Sequence, residues 1–369
     1  MLQQPCPFLR CGVPLSLLLT RTVFPGGSGF IAGHVLRQLF ADKTPYRVVA
    51  TVRSPEKAAP IHAAYPDLGP DRLQTVLVPE VARADAFDAV LQQHPDVEVV
   101  FHMAAPFHYR VADPTRELVD PAVLGTRALL RAVAAYAPRA RRVVLTSSFN
   151  TMFDLKRSAD PTAVFTEATW NSITVADIGG SPQLGYMAAK TLAERAAWDF
   201  VRSEHTPPLS FDLVTINPPY ALGPVVHHLA AAAGLDSINT SNARIADAIT
   251  GMWKQQGAVP DTPNAQTWID VRDLARVHIL AGLEKPDAGG RRLMPATGFV
   301  TNRAVYEIIR KNFPELADKL PSPDAPGGYE PPKHYQYDNT ETKKYLGIEW
   351  TPLEKTVVDT VNSLKAHMN

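Results

Sequence analysis

The sequence predicts an α/β fold in which one parallel sheet is doubly wound, with helices on both faces. Three observations carry that expectation. Short valine-rich runs without polar alternation recur from Leu15 to Ile216, and strands buried on both faces read this way. Segments with apolar residues three and four apart stand between the runs, so strand and helix alternate. A glycine-rich turn falls where the first run hands over to the first helix.

With 369 residues, 45% apolar and 20% charged, the chain has the composition of a globular protein with one large core or two moderate ones. Lysine plus arginine and aspartate plus glutamate both number 37, which gives no electrostatic handle for nucleic acid or an anionic membrane. Cys6 and Cys11 lie too near the start to staple a framework, so a reducing compartment, the cytoplasm, is expected. Leu15 to Thr20 is too short, and too poor in preceding positive charge, for a secretory leader; no run reaches the roughly 18 apolar residues of a membrane span. Residues 1–14 are expected to be a disordered extension.

In chain order, Leu15 to Thr20 reads as the first strand and Phe30 to Phe40 as the first helix. Between them lies Gly26-Gly-Ser28-Gly29-Phe30-Ile31-Ala32, whose small residues three apart allow a tight turn and close backbone approach to a pyrophosphate, with the helix start aimed at it. Tyr46 to Val52 is the second strand, and Thr51-Val-Arg53-Ser-Pro-Glu-Lys57 follows its end. An acidic side chain here would hold the ribose 2'-hydroxyl of NADH, whereas Arg53 and Lys57 suit the 2'-phosphate of NADPH. Leu73 to Val78 and Val97 to Met103 are the next strands, with Asp85 to Gln93 and Thr115 to Tyr136 as helices.

His102-Met-Ala104-Ala105-Pro106-Phe107 places small residues at a strand end, where parallel sheets bind ligands; His102, inside an apolar run, reads as a hydrogen-bonded core residue. The strand Arg142 to Thr146 ends in Thr146-Ser147-Ser148, from which a hydroxyl could donate to a substrate carbonyl. In Gly185-Tyr186-Met-Ala-Ala-Lys190, opening a further helix, phenol and ammonium share one face, and a nearby positive charge makes a phenol a better acid. Phe211 to Ile216 is the strand that follows. Asp270-Val-Arg-Asp273 reads as helix capping and ion pairing, and His278 as packing. Each motif alone is commonplace; their order along one inferred crevice is not.

Together these motifs, with Asn217-Pro218-Pro-Tyr-Ala-Leu-Gly-Pro224 and Trp268-Ile-Asp-Val-Arg-Asp273, resemble the extended short-chain dehydrogenase/reductases. The likeness is greatest to the branch of dihydroflavonol reductase, cinnamoyl-CoA reductase and the yeast methylglyoxal and ketone reductases. The resemblance implies a Rossmann domain over 15–216, with 241–285 packing back on it, and a smaller substrate-binding region formed by 217–240 and 286–369 with help from 149–181. It implies Ser148, Tyr186 and Lys190 as the catalytic set. NADP(H) would lie against Gly26, Ser28, Gly29, Phe30, Ile31, Arg53, Lys57, Glu80, Val81, Ala104, Ala105, Pro106, Tyr186, Lys190 and Pro218, with no metal.

The implied reaction is hydride transfer to the carbonyl of a small aromatic or aliphatic ketone or aldehyde, with Tyr186 as proton donor. Phe107, Phe149, Phe153, Trp170 and Tyr220 suit such a substrate. The alternatives are an epimerase or dehydratase and a non-enzymatic NADP-sensing regulator. No nucleic-acid or membrane partner is expected, and the protein would be a monomer or homodimer. Three departures from the family pattern stand out. Pro25 precedes the first glycine, which would make Arg21 to Pro25 an insertion that lengthens the turn and weakens pyrophosphate binding. Leu124 replaces an asparagine and would remove a polar group near the proton relay. Glu80 replaces an aspartate in the adenine-contacting run.

Overall fold

A computed structural model describes residues 20–42, 44, 46–104, 111–226, 238–262 and 264–367. The expectations for residues 1–14, for a strand over Leu15 to Leu19, and for Ala105, Pro106 and Phe107 lie outside them.

The chain opens with β1 (Arg21–Pro25), α1 (Phe30–Ala41), β2 (Arg47–Val52), α2 (Pro55–Ala64), β3 (Leu73–Leu77), α3 (Asp88–Gln93) and β4 (Val99–His102). After a wide turn over Thr115–Val119 come α4 (Asp120–Tyr136), β5 (Arg142–Thr146), β6 (Val164–Phe165), α5 (Pro182–Arg202), β7 (Asp212–Ile216), β8 (Tyr220–Leu222), α6 (Thr240–Thr250) and α7 (Met252–Gln255). The last third holds β9 (Gln266–Asp270), α8 (Val271–Ile279), β10 (Arg292–Leu293), β11 (Gly298–Val300), α9 (Asn302–Asn312), β12 (Gln336–Tyr337), α10 (Thr340–Leu346) and α11 (Leu353–Lys365).

Seven strands form one parallel sheet in the order β10-β7-β5-β4-β1-β2-β3. Because side chains alternate across a strand, Phe24, Val48, Ala50, Phe101 and Val144 bury themselves on one face, under α1 and α8. Their neighbours Val23, Val49, Val100 and Val143 bury themselves on the other, under α4 and α5. Each such side chain taken from water contributes about 1.5–3 kcal/mol, which is why valine runs at these positions specify a central sheet. Order reverses between β1 and β4: the chain builds outward to β3, then returns to the far side of β1. The crevice beyond the carboxyl ends of those two strands is where such sheets hold ligands.

The central strand corrects the expectation for Arg21 to Pro25. These residues are β1 itself, in register from Arg21 against Arg47 to Pro25 against Thr51, and paired to β4 on the other side. The Pro25 carbonyl accepts from Met103 N at 2.9 Å, so the strand runs straight into the glycine turn. There is no lengthened turn. Arg142, buried at the start of β5, grips Asp212 at 2.6 and 2.7 Å and donates to the carbonyls of Ala281, Lys285 and Pro286, locking the segment after α8 to the sheet.

Two smaller layers flank the crevice. β8, β9 and β11 form a three-stranded sheet whose core is shared with α6, α9 and α11, among them Ile245, Trp268, Tyr306 and Val361. β6 pairs in parallel with β12, drawing Phe149, Phe153, Phe165 and Tyr335 into an aromatic cluster with ring centroids 4.9–6.5 Å apart.

Candidate active site

A cavity of about 540 Å³ opens over the crevice and is lined by Gly26, Gly29, Phe30 and Ile31 on one side and by Ser148, Tyr186, Lys190 and Pro218 on the other. α5 brings Tyr186 and Lys190 to the cavity wall. Ser181 caps it by accepting from Leu184 N at 3.3 Å, and Pro182 sets its first turn. Gly185 is required by packing, since a Cβ there would stand 2.5 Å from Pro114 Cβ; the close approach seats the turn that carries Tyr186. Lys190, one turn on, is half-buried, and its ammonium donates to the Thr146 carbonyl at 3.1 Å. Desolvation lowers its pKa to about 8, with Glu194 pulling the other way.

The strand-end hydroxyls divide their work. Ser147 donates to Glu194 at 2.5 Å and belongs to a buried network in which Asn217 and Arg292 also donate to that carboxylate, both at 2.6 Å. Ser148 caps the short turn Phe149–Thr151, its Oγ accepting from Asn150 N at 3.2 Å, and among the described residues its proton has no acceptor in the cavity it lines. Of the two serines, Ser148 therefore is the one whose hydroxyl proton no acceptor among the described residues takes.

At the other end, Gly26 adopts φ +87°, and a Cβ on it would lie 2.7 Å from Ala104 N; only glycine serves there. Gly29 heads α1 and offers no side-chain cap, so the positive end of the helix faces the cavity. Ser28 lies within this turn. Arg53 and Lys57 are exposed beyond β2 and make no ion pair among the described residues. The Ser54 hydroxyl, together with the backbone N–H of Glu56 itself, holds the Glu56 carboxyl below its usual range. These features fit NADPH: a backbone cradle that a side chain would fill, an uncapped helix start, and free cations at the second strand end.

Other expected site residues fall differently. Glu80 is exposed and Val81 packs against Gly125 and the α4 side of the core; neither lines the cavity. Trp170 also lies outside the cavity, stacked by Arg195 and Arg292 at 4.5 and 3.7 Å, whereas Phe149, Phe153 and Tyr220 line it. Leu124 is 49% exposed on α4, so it leaves no gap in the cavity wall. His102 is buried and held near pKa 3 by desolvation, with Thr126 at 3.5 Å. Asp270 caps α8 and pairs with Arg272, and His278 is buried between Thr146 and Leu274.

The sequence reading missed part of the wall: Ser241, Asn264, Gln266 and Tyr335. Asn264 and Ala265 have φ +58° and +46°, left-handed backbone that asparagine tolerates and alanine rarely adopts. Gln266 stands two residues before Trp268, at the start of β9, so its alternation with Trp268 on one face is the signal that marks it.

Among the described residues no helix is long and apolar enough to cross a membrane, and no histidine, cysteine or carboxylate cluster has the makings of a metal site. Residues 24–293 match the model of the NAD dependent epimerase/dehydratase family. The chain is 38% identical over 347 residues to the ketoreductase azaE of Aspergillus niger, covering 94% of this chain and 98% of that one. It is 32% identical over 342 residues to the NADPH-dependent methylglyoxal reductase GRE2 of Saccharomyces cerevisiae, covering 92% and 96%. The crystal structure of Candida albicans Gre2 in complex with NADPH superposes with a TM-score of 0.84 at 33% identity, over 95% of this chain and all of that one.

Proposed function

The chain belongs to the NAD dependent epimerase/dehydratase family, the extended short-chain dehydrogenase/reductases, and from that premise we propose that it is an NADPH-dependent reductase of ketone or aldehyde carbonyls. The observation that carries this reading is the single cavity onto which the glycine turn, Ser148, Tyr186 and Lys190 all open. Its relatives named as ketoreductase and methylglyoxal reductase support the same chemistry.

The glycine turn, the α1 start, Arg53 and Lys57 would hold NADPH, which would supply the hydride when bound. Ser148 donates a hydrogen bond to the substrate carbonyl oxygen, an interaction that strengthens as negative charge develops there. The Tyr186 phenol delivers the proton that completes the alcohol. Lys190, charged below pH of about 8, keeps that phenol acidic. Phe149, Phe153 and Tyr335 exclude water and favour an apolar substrate body. The substrate-binding region in this reading is 217–240 with 286–369, set against a dinucleotide-binding body over 15–216 and 241–285. The setting is cytoplasmic, as a monomer or homodimer.

The test follows NADPH absorbance over a panel of ketones and aldehydes. Stoichiometric consumption with alcohol formation is expected. Interconversion of sugar nucleotides without net consumption would replace the reading with an epimerase, and NADPH binding without turnover on any carbonyl would replace it with a sensor.

A further inference from the structure

Arg244 is a half-buried cation beside the cavity, and no carboxylate pairs with it among the described residues. It follows Thr240 and Ser241 on α6 by four and three residues, so it shares the face on which both line the cavity. Its guanidinium stacks over the Tyr220 ring, 5.0 Å from the centroid, and Nη2 donates to Gln266 Oε1. Gln266 Nε2 in turn donates to Tyr220 Oη at 3.2 Å, and Tyr220 and Gln266 both line the cavity.

What these contacts leave over is informative. Arg244 Nη1 is shut off from solvent and has no hydrogen-bond partner among the described residues, and Asn239 Oδ1, in the cavity wall at the start of the same helix, is in the same position. The Tyr220 hydroxyl accepts from Gln266, and its own proton has no acceptor among the described residues. Other arginines here are treated differently: Arg142 and Arg292 each have a carboxylate and backbone carbonyls, and Arg303 has the carbonyls of Ala325 and Gly327. A guanidinium stays charged when buried, and a charge removed from water without acceptors is strongly unfavourable, so an anionic group brought to this corner of the cavity would be held there. Burial holds the Arg244 pKa below its usual value, opposed only by Tyr220. Among the described residues no aspartate or glutamate lines the cavity to repel an anion.

We infer that Arg244, braced by Gln266 and joined by the Tyr220 hydroxyl, anchors a carboxylate carried by the substrate, so that the preferred substrates are oxo acids. The anchor deepens the reductase reading and rests on it. One carboxylate takes Arg244 Nη1–H and the Tyr220 O–H, a charge-assisted pair that positions the molecule while Ser148 and Tyr186 engage its carbonyl. Phe149 and Phe153 cover the apolar chain between.

The experiment compares methyl-ketone acids of increasing length, from levulinate upward, with their methyl esters, in the wild type and in Arg244→Met, Arg244→Lys and Tyr220→Phe. At a favoured length the acid exceeds its ester in kcat/KM, chiefly through KM. In Arg244→Met that acid-to-ester ratio falls by roughly 10- to 100-fold. Arg244→Lys keeps part of it, and the isosteric Tyr220→Phe loses part.

A wild type that reduces acids and esters equally at every length, with a ratio no variant moves, overturns the anchor and leaves the reductase reading intact. If no carbonyl is reduced, that reading falls instead. The anchor is then judged by calorimetric binding of hexanoate against methyl hexanoate, with saturating NADP present; equal binding to wild type and Arg244→Met rejects it. Should Arg244→Met fail to bind NADPH, Arg244→Lys and Tyr220→Phe carry both comparisons.

Discussion

Glu194 and Arg292 form an ion pair at 2.6 Å behind the cavity, their side chains 0% and 10% exposed. Around that one carboxylate gather Ser147, Asn217, Thr215 and the Trp198 indole, while Lys190 lies one turn before it on α5. The pair therefore joins β5, β7, β10 and α5 at the level of the candidate catalytic residues.

Breaking this pair from one side leaves a buried charge uncompensated. Arg292→Met should lower stability by about 3–5 kcal/mol, and adding Glu194→Gln should restore a measurable part of it. Urea unfolding of both variants measures the effect; a loss below about 1 kcal/mol in Arg292→Met would show that the network relaxes around the vacancy.

Ser148 and Tyr186 should act on turnover. Tyr186→Phe is expected to reduce kcat by about 10²–10⁴ and Ser148→Ala by about 10²–10³, both with NADPH affinity nearly intact by fluorescence titration. Ser147→Ala, which disturbs the Glu194 network, should cost stability rather than chemistry. A Tyr186→Phe variant with wild-type rates on every substrate would remove the proton donor from the mechanism.

The pH dependence follows from Lys190. Its pKa is lowered to about 8, so it is charged below that value and neutral above it. Reduction should therefore hold steady through neutral pH and decline about tenfold per unit well above pH 8. Lys190→Met should be slow throughout and lack this limb. A wild-type profile flat to pH 10 would exclude Lys190 as the controlling group.

Cofactor choice should depend on Arg53. Replacing it with alanine removes a charge-assisted partner of the 2'-phosphate and should raise KM for NADPH by roughly 10- to 100-fold with little change for NADH. Lys57→Ala, on the first turn of α2, should have a smaller effect. Equal losses with both cofactors would place the 2'-phosphate elsewhere.

Most of the sheet was legible because its strands are buried on both faces. Tyr46 to Val52, Leu73 to Val78, Val97 to Met103 and Phe211 to Ile216 each lie within two residues at either end of the observed strand, and Arg142 to Thr146 coincides with it. The first strand was displaced because Leu15 to Thr20 is the more apolar run, whereas Arg21 to Pro25 has the register that reaches both β2 and β4 and delivers the chain to Gly26. α2 was not anticipated: it carries Pro60 within it and buries only Ile61, so its apolar periodicity is faint.

By itself the sequence determined the sheet, the glycine turn, the basic end of β2, and the order in which Ser148, Tyr186 and Lys190 arrive. These depend on local spacing, which a linear chain displays. Tertiary structure alone decided that Ser147 is taken by Glu194 while Ser148 is left to the cavity, that Trp170 lies under two arginines, and that Arg244 meets Tyr220 and Gln266 with one donor to spare. Those outcomes depend on which burial and hydrogen-bond partners are brought together by segments distant in sequence, and that is fixed only when the layers pack.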